Sequence, residues 1–250
     1  MAGMTSIYVG VSGLQSAQTA LNTTTHNLAN VYTKGYTRQL SFTSDRTYNN
    51  IGKSATSSMQ VGLGVATSVT SRVRDILLDA KYRKETGRQG FYDARYEAVS
   101  EIETIIGETE GVKFQNTLED LWSSISEMAK TPDSIVSRSE LVMNAETFLN
   151  RAKGIYDGLV DYQKNLDSKV QTTVDRINEL GDKINALNLK ISGIEAGIEN
   201  ANDLRDTRDN ALDELSGYID FDYYENEHGE VIVTAENVPF VTSAQVLSLI

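Results

Sequence analysis

The stretch LVMNAETFLNRAKGIYDGLVDYQKNL, Leu141–Leu166, places an apolar residue at alternating steps of four and three. This heptad spacing is typical of a long helix that packs against another helix along one seam. After Leu166 the spacing takes a second step of four and then resumes as far as Ile198. Such a stutter locally unwinds a supercoil without ending the helix. The pattern therefore predicts one long helix over about residues 134–199.

Three shorter helices are expected before and after this rod. The first begins near Asp75 and runs to Ile106. The third follows the long helix, begins with Asn202 as its N-cap and stops at Gly217. The second, before the long helix, spans about residues 114–129. Its expected buried face consists of Leu118, Leu121, Trp122, Ile125 and Met128. The leucines of the third helix expected to face inward are Leu204, Leu212 and Leu215.

Two stretches indicate β-structure. Residues 39–74 are expected to be extended and partly β, with a short strand around Val65, Val69 and Val73, and with Tyr48–Ser58 as a loop. After Gly217 the apolar period changes to two, which predicts a β-hairpin. The residues expected to pair lie on either side of the turn at His228-Gly229. They are Ile219, Phe221 and Tyr223 before the turn and Val231 and Val233 after it.

The expected fold class is therefore mainly α. It is a long α-helical coiled-coil-like bundle with an extended N-terminal segment and the start of a small β-rich domain at the C-terminal end. The expected boundaries are 1–38 for a terminal helix and turn, 39–74 for a connecting segment, 75–216 for the helical bundle and 217–250 for the start of the β-rich domain.

The N-terminal helix has an unusual composition. Residues 1–33 contain no Lys, Arg, Asp or Glu, and Gly10 and Gly13 each cost about 1 kcal/mol inside a helix. Its apolar stripe, with Gln18 and Thr25 at the two polar positions, consists of Ile7, Val11, Leu14, Leu21 and Leu28. No charge pairs support the helix. The segment is therefore expected to need a partner and to be disordered in a monomer.

Composition excludes several classes of function. The formal net charge of −12 opposes binding to nucleic acid or to an anionic membrane. Without cysteine there is no disulfide, catalytic thiolate or Cys-ligated metal. His26 and His228 are isolated in the sequence. Neither an active site nor a cofactor is expected, and the chain is predicted not to be an enzyme.

The segment DLRDTRDNALDEL carries four aspartates at three- and four-residue spacing: Asp203, Asp206, Asp209 and Asp213. Carboxylates spaced in this way share a helix face and can ligate a hard cation. Arg205 and Arg208 interleave, however, and favour helix capping and surface ion pairing. The remaining interpretation is a specific packing role at a domain junction.

The stretch NLANVYTKGYTRQ, Asn27–Gln39, follows the pattern Ala-Asn-x-x-Thr-x-Gly-Tyr-x-Arg. The matching residues, called the signature turn below, are Ala29, Asn30, Thr33, Gly35, Tyr36 and Arg38. The pattern closely resembles the N-terminal signature of the flagellar rod, hook and hook-associated protein family. The segments GLGVATSVTSRVRDILLDAKYRKE, GFYDARYEAVSEIETIIGE, TPDSIVSRSELVMNAETF and NDLRDTRDNALDELS are similar to hook-associated members of that family.

The resemblance implies a structural axial subunit at the junction between hook and filament, assembled by helical packing of terminal helices. The signature turn would direct the chain outward from the tube core. Gly35 would supply a backbone geometry closed to other residues, and Tyr36 a contact at the subunit boundary. The residues implied for a junction helix are Asp203, Leu204, Arg205, Asp206, Arg208, Asp209, Leu212 and Leu215.

The family also implies partners and a location. The partners are the hook protein, hook-associated protein 3, further copies in a helical layer, and a cytoplasmic export chaperone that binds a C-terminal region absent from this sequence. The location is the extracellular flagellum, reached through the flagellar type III apparatus without a cleaved signal peptide. The chain is expected to be the N-terminal portion of a longer protein.

Three alternatives stay open. One is another hook or distal-rod subunit of the same family. A second is a soluble coiled-coil adaptor that uses residues 141–198 as a scaffold and for which residues 5–40 are dispensable. The third is a metal-dependent enzyme that uses the aspartates of residues 203–213.

Overall fold

The computed structural model describes residues 2–53, 58–107, 114–197 and 199–248. Within these ranges five helices follow one another: α1 Ala2–Ala29, α2 Ile76–Ile106, α3 Phe114–Lys130, α4 Ile135–Glu195 and α5 Asn202–Ser216. The mainly α fold class is confirmed, and the long heptad pattern forms one continuous helix of 61 residues. The last residue of that pattern, Ile198, lies outside the described residues.

The strands form three small antiparallel sheets in the described residues. Their bounds are β1 Gln39–Asp45, β2 Tyr48–Lys53, β3 Ser58–Gly62, β4 Val65–Arg72, β5 Asp222–Glu225, β6 Val231–Ala235 and β7 Val238–Val241. Strand β1 pairs with β4 and β2 with β3, while β5, β6 and β7 form a three-stranded sheet in that order.

Two strand predictions need correction. Tyr48–Lys53 is a strand rather than part of a loop, because it pairs in antiparallel register with Ser58–Gly62. Asn and Gly are rare in strands, so the composition of this segment did not indicate the strand that cross-strand pairing forms. In the C-terminal hairpin Tyr223 pairs with Val233 as predicted. Ile219 and Phe221 precede β5 instead and pack against the core.

The chain forms two compact units. One comprises residues 1–87 and 177–250, and the other comprises residues 88–176. The boundaries fall inside α2 and α4, so the expected boundaries at residues 38, 74 and 216 stay predictions. In the first unit α4, α5 and the three-stranded sheet share one core: Ile177, Leu180, Ile184, Ala211, Leu212, Leu215, Val231, Val233, Phe240 and Val241.

In the second unit, α3 packs with a face that only partly overlaps the predicted one: Leu121 and Met128 are half-buried, but the other three predicted residues are not. Trp122 is 70% exposed, and Leu118 and Ile125 are also exposed. Thr117 and Ser124 are buried instead, and each hydroxyl donates to a carbonyl of its own helix at 2.8 Å. No apolar side chain among the described residues of this unit is fully buried. Periodicity located the helix correctly but did not show which face has a partner.

The start of α5 also differs from the prediction. Asn202 is the first helical residue, and Ala201 occupies the N-cap position without a side-chain hydrogen bond. The Asn202 side chain donates instead to the carbonyl of Thr70 in β4 at 2.9 Å. The helix stops before Gly217, as predicted.

Candidate subunit-assembly site

Helix α1 packs on its own sheet through its polar face. Ser12 is buried, and its hydroxyl accepts a hydrogen bond of 3.2 Å from the backbone N–H of Val65 in β4. Nearer the end of the helix, the Asn27 side chain accepts from the Gln39 N–H and donates to the Gln39 carbonyl, both at 2.9 Å. Other buried or half-buried positions of α1 are Ser16, Thr19, Thr23 and His26. Because these groups bury little apolar surface, the contact gains little hydrophobic stabilisation.

The apolar stripe of α1 faces solvent. The exposed fractions are 67% for Ile7, 45% for Val11, 73% for Leu14, 62% for Leu21 and 73% for Leu28. A surface helix normally turns its apolar stripe toward the core. Isolated exposed apolar residues are common, but a continuous row of them indicates a contact surface. The structure therefore leaves all five predicted packing residues accessible, while their packing role stays a prediction.

The signature turn follows α1 and is held by its own side chains. Gly35 has a φ of +77°, the left-handed conformation that favours glycine, as predicted. The Asn30 Oδ1 accepts from the Thr33 hydroxyl at 3.1 Å. The Tyr36 hydroxyl donates to the Asn27 Oδ1 at 2.8 Å, so this polar group is used within the chain. The other two signature residues, Ala29 and Arg38, are exposed.

The signature turn lies directly on α5. A Cβ atom built on Gly35 would come within 1.8 Å of the Asn210 Oδ1, so no larger residue fits while Asn210 keeps its position. Two residues further along, the Thr37 N–H donates to the Asp206 Oδ2 at 2.9 Å. The sequence presents the turn and the aspartate-rich helix as separate features, and the fold brings them into contact.

Arginines from the end of β4 and from α2 reach the carboxylates of α5. The Arg72 Nη1 lies 2.8 Å from the Asp206 Oδ1 and 2.7 Å from the Asp209 Oδ2. The Arg83 Nε lies 2.7 Å from the Asp213 Oδ1. Asp206 and Asp209 are buried. The expectation of capping and surface ion pairing is therefore wrong as to place: the aspartates do form ion pairs, but arginines of β4 and α2 cover this helix face and bury it.

Arg74 completes the cluster. Its Nε lies 2.5 Å from the Asp79 Oδ2 and 3.5 Å from the Asp209 Oδ2. We call the residues that join the signature turn, β4 and α2 to α5 the polar joint: Thr37, Arg72, Arg74, Asp79, Arg83, Asp206, Asp209, Asn210 and Asp213.

The arginines set the charge state of the polar joint. Burial alone would raise the pKa of Asp209, but Arg74, Arg72 and Arg83 more than offset this and hold that pKa below its usual value. Burial would lower the pKa of Arg74, while the hydrogen bond to Asp79 and the nearby Asp209 raise it overall. Asp209 and Arg74 are therefore both charged at neutral pH.

The two predicted arginines of α5 contact α4 and the region of the β5–β6 turn. Arg208 is 1% exposed, and its Nη1 donates to the Asn188 Oδ1 at 3.0 Å and to the Gly229 carbonyl. The Arg205 Nε donates to the Glu195 Oε1 at 2.6 Å, and this pairing lowers the pKa of Glu195. Of the predicted inward leucines, Leu212 and Leu215 are fully buried and Leu204 is half-buried.

Several residues of the site have no role in the sequence predictions: Asn27, Arg72, Arg74, Arg83 and Asn210. The available signal for the arginines is their charge, opposite to that of the aspartates on α5. Both asparagines act through hydrogen bonds to distant backbone groups, and no local pattern indicates such bonds. Contacts between segments more than a hundred residues apart in the sequence can be seen only in the folded structure.

The α5 carboxylates form no metal site within the described residues, where no group of three or more His, Cys, Asp or Glu side chains is arranged to hold an ion. Asp206, Asp209 and Asp213 pair with arginines instead. His26 is half-buried with its Nε2 4.0 Å from Asp203, and His228 is exposed in the β5–β6 turn. Among the described residues no helix has the length and apolar character needed to cross a membrane.

Comparison with known proteins identifies the family. Residues 99–250, more than half of the chain, match the family model described as Flagellar hook-associated protein FlgK helical domain. The chain belongs to the FlgK family. Residues 7–37, which hold most of α1 and all of the signature turn except Arg38, also match the model described as Flagella basal body rod protein. The resemblance seen in the sequence is thereby confirmed.

FlgK relatives are similar along most of the chain. Flagellar hook-associated protein 1 of Bacillus subtilis (strain 168) is 32% identical over 240 residues, covering 93% of this chain and 47% of that protein. The protein of the same name from Escherichia coli (strain K12) is 27% identical over 230 residues, covering 91% of this chain and 41% of that protein. The chain thus spans less than half the length of these relatives.

A solved FlgK structure supports the fold. The structure of the flagellar hook junction protein FlgK from Burkholderia pseudomallei matches with a TM-score of 0.58 at 19% identity. The match covers 65% of this chain and 29% of that chain.

Proposed function

We propose that the chain is a structural, non-catalytic axial subunit of the bacterial flagellum, located at the junction between hook and filament. The observation that carries this proposal is the reversed packing of α1. Its polar face lies on its own sheet, while five apolar residues along one stripe remain in solvent. A helix of this kind is completed by apolar helices from other chains. The names of the FlgK relatives, hook-associated protein 1 and hook junction protein, agree with such a role.

Assembly would use the two faces of α1 differently. The apolar stripe would pack against helices of neighbouring subunits, where each fully buried leucine contributes about 1.5–3 kcal/mol. The absence of charge over residues 1–33 suits a position surrounded by other helices. The signature turn and the polar joint would set the direction in which α1 leaves the rest of the subunit.

The proposed partners are the hook protein on one side, hook-associated protein 3 on the other, and further copies of this chain in the same layer. A heterologous contact between copies generates rings or helical tubes, as an axial structure requires. The proposed location is the extracellular flagellum, reached through the flagellar export apparatus with the help of a cytoplasmic chaperone.

Binding to isolated hooks tests the proposal. We expect the purified chain to co-sediment with hooks from a FlgK-deficient strain of its own species. The variant Leu14→Gln, Leu21→Gln, Leu28→Gln should bind at least about a hundredfold more weakly, because three buried leucines are lost and 1.4 kcal/mol corresponds to a factor of ten. Glutamine has nearly the helix propensity of leucine, so α1 itself should be preserved.

The matched control changes three exposed residues of α1 outside the stripe, Gln15→Ser, Asn22→Ser and Thr24→Ser, and should bind like the unmodified chain. Equal binding by the leucine variant would contradict the proposal. Dimerisation through α4 without any hook binding, unaffected by removal of residues 5–40, would favour the coiled-coil adaptor instead.

A further inference from the structure

The N-terminal arm and the body of the first unit are joined without a shared apolar core. We define the arm as α1, the signature turn and β1–β4, and the body as residues 177–197 and 199–248, which hold the end of α4, α5 and β5–β7. The two buried apolar clusters of the described residues consist entirely of body residues. The arm therefore adds nothing to the apolar interior on which it rests.

What connects arm and body is directional and polar. Arg72 reaches Asp206 and Asp209 within 2.8 Å, and Arg74 lies 3.5 Å from Asp209. Near the end of β4, the side chains of Asn200 and Asn202 both donate to the Thr70 carbonyl, at 3.2 and 2.9 Å. At the edge of the contact, the Gln39 Nε2 donates to the Asp203 Oδ1 at 2.9 Å.

Asp206 holds a central place in this contact. One carboxylate oxygen accepts from the Thr37 N–H of the signature turn and the other accepts from Arg72 of β4. The side chain is 6% exposed, so water does not readily replace either partner. One residue of the body thus fixes two points of the arm, one just before β1 and one at the paired end of β4, and so restrains the orientation of that ladder.

Contacts of this kind specify geometry more than they add stability. Apolar surfaces tolerate sliding because the hydrophobic effect is non-directional. Buried ion pairs gain little net free energy but need good geometry, and in some proteins they select one arrangement. Each side here also keeps its own structure, because the body has a complete core and the arm has its own β1–β4 ladder.

We infer that the polar joint is a latch that fixes the angle between arm and body and can open while both remain folded. Asp206 is its positioning residue. When the latch is closed, α1 is presented in one direction. When the latch is open, the arm turns about the residues between β4 and α2 while α1, its sheet and the body core persist.

The absence of cysteine allows a direct test in the whole chain. Spin labels attached through Gln15→Cys in α1 and Lys183→Cys in α4, both exposed, report the arm–body distance by pulsed electron resonance. We expect one narrow distance distribution for the unmodified joint. Asp206→Asn should at least double its width, and Asp206→Glu should restore part of the narrow peak because the charge is kept.

The matched control is Asp220→Asn, the same substitution at an exposed residue of the body that takes no part in the arm–body contacts described above. It should leave the distribution narrow. Thermal unfolding of the body, monitored by far-UV circular dichroism, should be cooperative in all variants. An unchanged narrow distribution in Asp206→Asn would overturn the inference, and so would loss of the cooperative transition, since the two sides would then not fold separately. The measurement uses the free chain, so it succeeds or fails independently of hook binding.

Discussion

The body of the first unit and helix α1 follow opposite rules of packing. In the body, α4, α5 and the three-stranded sheet turn their apolar residues inward, and Ile184, Leu212 and Val233 are completely buried. In α1 the inward positions are Ser, Thr, His and Asn, and the leucines lie in solvent. Both segments show heptad spacing in the sequence. One heptad pattern therefore closes a core within the chain, whereas the other leaves its apolar residues exposed.

The largest difference in the free energy of unfolding is expected when one leucine of each region is replaced by alanine. Leu212→Ala leaves a cavity in a closed core and should lower the free energy of unfolding by about 3–5 kcal/mol. Leu21→Ala removes an exposed side chain and should change it by less than about 0.5 kcal/mol. Urea unfolding followed by circular dichroism measures both. Similar losses in the two variants would mean that α1 has a core of its own.

A smaller loss of stability is expected when a buried polar side chain of the body is removed. Asn188 is buried, accepts from the Val231 N–H at 3.0 Å and donates to the Val231 carbonyl at 2.8 Å. Asn188→Ala should cost about 2–3 kcal/mol, because these backbone groups and Arg208 lose a buried partner. Asn22→Ala, on the exposed side of α1, is the matched control in the same unfolding experiment and should be nearly neutral.

Replacing two glycines by alanine should change stability in opposite directions. Gly35→Ala puts a side chain at a φ of +77° and against Asn210, and should cost about 1–2 kcal/mol. Gly10→Ala meets no atom within 4 Å in α1 and should stabilise that helix by about 0.5–1 kcal/mol. Helix content and thermal unfolding distinguish the two. Equal signs would contradict the described conformation of the signature turn.

The smallest change is expected from mild acid. Arg74, Arg72 and Arg83 lower the pKa of Asp209 in the folded chain, so its contribution is fully present above the unfolded value of about 3.9. That contribution is lost as the pH falls through the lowered pKa. The arm–body distance should therefore not change between about pH 7 and pH 5 and should broaden only in stronger acid. Broadening near pH 6 would contradict the charge state assigned to the joint.

Sequence periodicity was sufficient for the helices. Alternating four- and three-residue steps predicted α4 nearly to its ends, since one side of that helix is apolar over its whole length. The same reasoning failed in part for α3, where Leu121 and Met128 are half-buried but Trp122 is exposed and Ser124 is buried. Periodicity identifies an apolar face but cannot tell whether the partner of that face belongs to the same chain.

The candidate site was predictable only in part. The signature turn and the aspartates of α5 can each be recognised in the sequence. The turn is marked by the residue pattern around Gly35, and the aspartates by the regular spacing of their carboxylates. Their mutual contact through Thr37, Arg72 and Asp206 joins segments more than 130 residues apart in the sequence. Long-range hydrogen bonds leave no periodic signal, so the polar joint appears only in the folded chain.

Hydrogen exchange of the chain, first free and then bound to isolated hooks, tests most directly whether α1 is completed by a partner. In the free chain, amides of residues 7–28 should exchange much faster than those of residues 177–191 of α4, because no apolar burial protects α1. Hooks should slow exchange in residues 7–28 strongly and leave α4 unchanged. If residues 7–28 are as protected as the α4 segment in the free chain, α1 is stabilised within its own chain and the account is contradicted.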